Sequence, residues 1–139
     1  MRTEKSLRVL LAGVLIAAAL MPAPAMAAPV KLAATLSGGA GGDPDGSGTF
    51  TVDVDPDLGD FCYVLNVAKV GKITGAAVQA AASPDPVVKL EVQGTSADEC
   101  IAGEPAALKP IVENPAGYVV VIKTADFPAG AVQGALGKK

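Results

Sequence analysis

Thr49-Phe-Thr-Val-Asp-Val-Asp-Pro-Asp-Leu-Gly-Asp-Phe-Cys-Tyr-Val-Leu-Asn-Val67 is the stretch that decides the fold. Its first part alternates strictly. Phe50, Val52 and Val54 fall on one face; Thr49, Thr51, Asp53 and Asp55 fall on the other. A period of two is the mark of a half-buried strand. Asp55-Pro-Asp-Leu-Gly-Asp60 then reads as a turn, with proline presetting φ and glycine free to take φ > 0. The chain returns over Phe61–Val67. Phe61, Tyr63, Leu65 and Val67 share the inward face, while Cys62 and Val64 leave the other face fairly apolar. The pattern predicts an antiparallel hairpin whose second strand is central in its sheet.

Working outward, the same signals recur. Residues 30–36 form a short strand candidate, followed by a glycine-rich loop from Ser37 to Gly46. Val70-Gly71-Lys72 is a turn. Residues 73–82 are apolar and weakly patterned, and Ser83-Pro-Asp-Pro86 stops them. Residues 87–92 alternate again, with Val88, Leu90 and Val92 inward. Gly94 to Gly103 reads as a loop carrying Cys100. Glu104 to Asn114 is the one helix candidate, with Pro105 suited to a first turn and Pro110 limiting it. Tyr118–Thr124 is the most hydrophobic strand, Asp126–Gly130 a turn, residues 131–136 the last strand, and Gly137–Lys139 a frayed tail. About seven short strands with one short helix predict an all-β sandwich or small Greek-key barrel.

The first 27 residues read as an address rather than as part of that domain. Arg2, Lys5 and Arg8 make a positive start, and Val9 to Leu20 an apolar run. That run is well short of the roughly 20 residues needed to span a bilayer. Met21-Pro-Ala-Pro24 breaks it, and Ala25-Met-Ala27 supplies small residues at the cleavage position. The expectation is a signal peptide over residues 1–27, cut between Ala27 and Ala28, and one domain over residues 28–139. The mature chain has no later membrane span.

Cleavage sharpens the charge. Removing Arg2, Lys5, Arg8 and Glu4 leaves eight lysines, no arginine and 13 acids, so the net charge moves from −3 to −5. Phosphate contacts need clustered Lys and Arg, so nucleic acid is excluded as a partner. The whole chain contains no histidine. A Ser-His-Asp triad, a histidine acid/base pair and a histidine metal ligand are all excluded with it.

Cys62 and Cys100 are the only cysteines. In an exported chain such a pair is a structural disulfide. Closing 38 positions of sequence is worth roughly 3–4 kcal/mol on the chain-entropy account. Neither cysteine has the CxxC partner that redox chemistry would use.

The best polar cluster is acidic: Asp43, Asp45, Asp53, Asp55, Asp57 and Asp60. Oxygen-rich sites suit Ca²⁺, and Asp43, Asp45, Asp55 and Asp57 are the candidates. Asp43-Pro-Asp-Gly lacks the closing glutamate of an EF-hand loop, and aspartate in turns more often bonds its own backbone. Glu91, Glu104 and Glu113 share no local context suited to paired-carboxylate hydrolysis. The serines sit in turn-type loops without a Ser-x-x-Lys spacing. The five aromatics, Phe50, Phe61, Tyr63, Tyr118 and Phe127, read as core, with Phe127 plugging the turn before the last strand.

Tyr118-Val-Val-Val-Ile-Lys-Thr-Ala-Asp-Phe-Pro-Ala-Gly-Ala-Val-Gln-Gly-Ala-Leu136 resembles the end of the CHRD domain, named after chordin. That family shows a YYVNVHT strand, a Phe-Pro-x-Gly turn and a GEIRGQL strand. Gly46-Ser-Gly-Thr-Phe-Thr-Val52 resembles its GxATFTL strand, and Ile73-Thr-Gly-Ala-Ala-Val-Gln79 its ITAAHIH run. Asn114-Pro-Ala-Gly-Tyr118 resembles the segment leading into YYVNVHT. The resemblance covers roughly residues 30–137. It implies an immunoglobulin-like or superoxide-dismutase-like β-sandwich in an exported protein. It also shows what is missing. The family's histidines fall on Ala77, Gln79 and Lys123, and the Glu and Arg of GEIRG on Ala131 and Gln133. Alanine, an amide and a cationic amine cannot rebuild an imidazole site. The expectation is an exported non-enzymatic module without a cofactor, partnered by a protein or envelope component and placed in the periplasm, envelope or medium. The alternative is a small-ligand or Ca²⁺ binder using the acidic loops.

Overall fold

The structure is a computed structural model, which describes residues 13, 17–23 and 27–139. The signal-peptide expectation falls largely on residues 1–12, 14–16 and 24–26, outside those described; Ala27 and Ala28 are exposed and carry no regular structure. The ordered elements are β1 (Val30–Ser37), β2 (Ser47–Asp55), β3 (Asp60–Ala68), β4 (Ile73–Ala80), β5 (Pro86–Lys89), β6 (Ser96–Ala102), α1 (Pro105–Glu113), β7 (Tyr118–Thr124), β8 (Val132–Ala135) and β9 (Gly137–Lys138). A single 3₁₀ turn, Pro115–Gly117, leads from the helix into β7. The fold is all-β and sandwich-like, as the alternation predicts, with nine antiparallel strands among the described residues in place of about seven.

Strand order is β5-β4-β7-β8-β1-β2-β3-β6, with β9 also paired to β1. This is one sheet curled into two layers. The hairpin read from sequence is its anchor, with Val52 opposite Tyr63 and Val54 opposite Phe61. Alternation points Leu32, Phe50, Val52, Val54, Phe61, Tyr63 and Leu65 into the interior from one layer. Val78, Val88, Leu90, Val120, Ile122 and Val132 meet them from the other. Phe50, Phe61 and Tyr63 form an aromatic cluster with centroids 5.9–6.4 Å apart. Fully burying one such side chain is worth about 1.5–3 kcal/mol, so this trio carries much of the core.

The layers join along one side only. There the chain leaves β7 through β8 and crosses to β1 through β9: Ser37 pairs with Gln133, Ala33 with Gly137 and Leu32 with Lys138. The expected single strand 131–136 is therefore interrupted at Leu136, whose side chain enters the core. The tail is paired rather than frayed, with the Lys139 N–H donating to the Lys31 carbonyl at 3.1 Å. Gly134 permits the crossing, because a Cβ there would collide with the Thr35 carbonyl.

Other departures have physical causes. Asp55, expected outward, is buried; its Oδ1 accepts from the Asp57 and Leu58 N–H groups, closing the turn it begins. Phe127 is only half-buried and stands outside the core. Its turn is held instead by buried Thr124, whose Oγ1 accepts from the Phe127 N–H at 3.2 Å. Residues 94–103 are not a loop: seven of them form β6, paired along its length with β3. Its polar composition hid it, since pairing with a strand already in place outweighs local propensity. Helix α1 begins on Pro105 and survives Pro110 by burying Leu108 and Ile111.

Candidate functional site

The three positions of the missing histidines come together. In the outer face of the β5-β4-β7 layer, Ala77 stands between Lys89 and Val121, and Gly75 stands opposite Lys123. Gln79 follows Ala77 on the same face. Around them is a hollow of about 270 Å³, floored by Gly75 and Ala77 and walled by Pro84 and Pro86. Register shifts in β4, between Ile73 and Gly75 and between Val78 and Gln79, bracket it. Bulges of this kind bend a strand and re-aim its side chains. The polar groups here are Lys89, Lys123, Gln79 and Glu91. None is an imidazole or thiolate, so the donor set does not suit a transition metal. Ala131 is buried and Gln133 exposed, so the charged pair of the family also leaves no trace.

The acidic candidates separate. Asp43 and Asp45 precede β2; Asp55 and Asp57 follow its last inward residue, about 27 Å away at the far end of a nine-residue strand. Asp43 Oδ1 accepts from the Asp45 N–H at 3.1 Å, a turn contact like that of Asp55. Among the described residues no group of three or more Asp, Glu, Cys or His side chains could hold a metal ion. The two cysteines, by contrast, are bonded: Cys62 and Cys100 face each other across β3 and β6 with Cα atoms 3.9 Å apart.

The most distinctive feature lies opposite the joined side. There β5 and β6 are the two sheet edges, and they do not pair along their lengths. The chain passes from one towards the other through a tight turn, where Gln93 and Ser96 form an isolated bridge across Gly94-Thr95. Just before that bridge the Tyr63 hydroxyl reaches across from β3. It donates to the Glu91 carbonyl at 2.8 Å and accepts from the Glu91 N–H at 2.7 Å. Burial pushes the Tyr63 phenol above its ordinary pKa; the Glu91 backbone contact opposes this, and the Glu99 and Glu91 carboxylates add to the rise. Beyond this clamp the edges splay, leaving a groove of about 380 Å³. Val87, Val88, Ile101 and Ala107 give it apolar walls, and Glu91, Glu104 and Lys89 its charges.

The edges differ. β5 is four residues long, begins with Pro86, which has no N–H, and ends on Lys89. Proline and lysine are the usual guards of a free edge. β6 has seven residues, with no proline, lysine or bulge. Its outward groups follow from the ladder. The Gly103 N–H donates to the Gly59 carbonyl at 2.7 Å, and the Val67 N–H to the Thr95 carbonyl at 2.9 Å. Hydrogen-bonded pairs alternate with non-bonded ones in an antiparallel ladder. Ala97, Glu99 and Ile101 therefore bond β3. Ser96, Asp98, Cys100 and Ala102 turn their backbone groups outward, and the close Cα approach at Cys62–Cys100 fits a non-bonded pair. Ser96 is used by the bridge to Gln93. Asp98, Cys100 and Ala102 are left facing the seam. The polar, glycine-flanked sequence of residues 94–103 conceals this edge. The signal that could have revealed it is Cys100 itself, because a disulfide to the middle of a strand favours an extended neighbour.

No helix among the described residues is long and apolar enough to cross a membrane. No curated protein and no solved structure matches the chain. A family model, that of the CHRD domain, matches residues 32–136, which run from the middle of β1 to the residue that separates β8 from β9. The chain belongs to the CHRD domain family.

Proposed function

We propose that the chain is an exported, non-enzymatic interaction module of the cell envelope or extracellular space. CHRD domains are a small, extracellular-type family, compatible with such a role. The observation that carries the reading is the open seam: an intact two-layer core that leaves a seven-residue edge strand without proline, lysine or bulge, its only charges Asp98 and Glu99. Natural sheets blunt such edges unless a partner uses them. Two features support it. The positions of the family's histidines hold Ala77, Gln79 and Lys123, so none of the imidazoles of that site is present. The disulfide pins β6 in a place suited to an oxidising compartment. The signal-type N-terminus supports cleavage between Ala27 and Ala28. Cell fractionation with N-terminal sequencing, followed by crosslinking in the envelope fraction, tests the reading. An exported chain starting at Ala28 and crosslinked to a discrete partner is expected; a full-length chain retained in the cytoplasm would overturn it.

A further inference from the structure

We infer that the seam is a strand-addition site, and that its occupant is an extended segment of a partner protein alternating apolar and basic residues. The inference rests on the interaction-module reading and goes further, naming the surface and the chemistry of the partner. The geometry sets the occupant's form. Beyond the clamp, Cys100 and Ala102 present N–H and C=O groups along one line of β6, which a second extended backbone can pair; Asp98, opposite Glu91, lies at the closed end. The edge is held in shape before any partner arrives, at its middle by the disulfide and at one end by the Gln93–Ser96 bridge. Little ordering cost then remains on this side of the interface.

The same register sets the side chains. On β6, Ala97, Glu99 and Ile101 share the inward face with Leu65, Tyr63 and Phe61 of β3. A residue of an added strand opposite Ile101 therefore points into the groove between β5 and β6. There it meets Ile101, Val87 and Ala107, so an apolar side chain suits that position. A residue opposite Cys100 points to the outer face, where Asp98 is exposed. The ionisable groups on and around the seam are Glu91, Asp98, Glu99, Glu104 and Lys89, an acidic excess. Basic side chains at the outward and rim positions gain from that field. It also disfavours a second copy of the chain, since a second β6 brings Asp98 and Glu99 and no basic residue to meet the first.

The test uses the intact chain, labelled with ¹⁵N, and four capped hexapeptides as probes. One alternates lysine and valine, one alternates glutamate and valine, and the other two are the lysine–valine peptide N-methylated at every second peptide nitrogen in either phase. The lysine–valine peptide is expected to shift the amide resonances of Cys100 and Ala102 and slow their exchange by ~10-fold or more. The glutamate peptide is expected to have no effect. Methylation in the phase that faces β6 should abolish protection, and in the other phase should leave it. Asp98→Lys should weaken the lysine peptide by ~10-fold or more while leaving the free chain's spectrum otherwise unchanged. No response at the β6 amides, or equal protection by the glutamate peptide, would overturn the inference. A partner still crosslinked in the envelope would then leave the module reading standing and locate its surface elsewhere.

Discussion

Tyr63→Phe isolates the clamp that holds the closed end of the seam. The substitution removes one oxygen and keeps the ring, so the stacking on Phe50 and Phe61 survives. What is lost is one hydrogen bond given to the Glu91 carbonyl and one received from its N–H, at 2.8 and 2.7 Å. A net hydrogen bond is worth about 0.5–1.5 kcal/mol, and an orphaned buried partner costs somewhat more. The Glu91 backbone is partly exposed, so water recovers a share. The expected loss is about 1.5–2 kcal/mol at neutral pH, which lowers Tm by several degrees in a domain of this size. A second signature is specific to the hydroxyl. The folded-state pKa lies above the ordinary value near 10. Between the unfolded and the folded pKa the unfolded chain sheds the phenolic proton while the folded chain keeps it. Tyr63 thus contributes stability that is complete below about pH 10 and falls as pH rises through the folded pKa. Urea unfolding of wild type and Tyr63→Phe from pH 7 to pH 11 reads both effects. Their stability difference should be largest at neutral pH and shrink above pH 10. A variant as stable as wild type at pH 7, or a difference that grows with alkalinity, would refute the reasoning.

Further expectations follow from the same geometry. Replacing Cys62 and Cys100 together by serine should cost roughly 3–4 kcal/mol on the loop-entropy account, read by urea denaturation, and should make the β6 amides exchange faster than those of β2. Unchanged exchange in β6 would mean that the disulfide does not hold the edge. Gly134→Ala should destabilise by about 1–3 kcal/mol, because the new methyl group meets the Thr35 carbonyl where β8 crosses to β1; a neutral melting temperature would contradict that close approach. Phe127→Ala should cost under about 1.5 kcal/mol, well below the 3–5 typical of a buried phenylalanine, since the ring lies outside the core.

Legibility in the sequence followed burial. Where one face packs on a core and the other meets water, the alternation shows directly. Phe50, Val52 and Val54 on β2 and Phe61, Tyr63 and Leu65 on β3 gave the hairpin and its inward face, and the register came with the structure. Conserving that pattern requires no long-range knowledge. Three kinds of feature depended on contacts distant in sequence. β6 is polar because its outer side is solvent, and it became a strand only through its pairing with β3. The break at Leu136 arises because one strand must serve two layers, which no local pattern encodes. Asp55 is buried by the turn it caps, so a residue that alternation assigns to solvent is drawn inward. The candidate site divides in the same way. The loss of the family's histidines at Ala77, Gln79 and Lys123 was legible as soon as the resemblance was drawn. The seam was not, because it is a property of two edges, β5 and β6, whose separation is decided by the rest of the fold.

The central claim is that β6 is an ordered strand with one bonded and one open side. Residue-resolved amide exchange on the free chain tests it most directly. Protection should alternate along β6: Ala97, Glu99 and Ile101 slow, Asp98, Cys100 and Ala102 fast. Uniform protection would mean that the seam is closed by pairing on both sides, and uniformly fast exchange that residues 96–102 form no strand; either result would contradict the account.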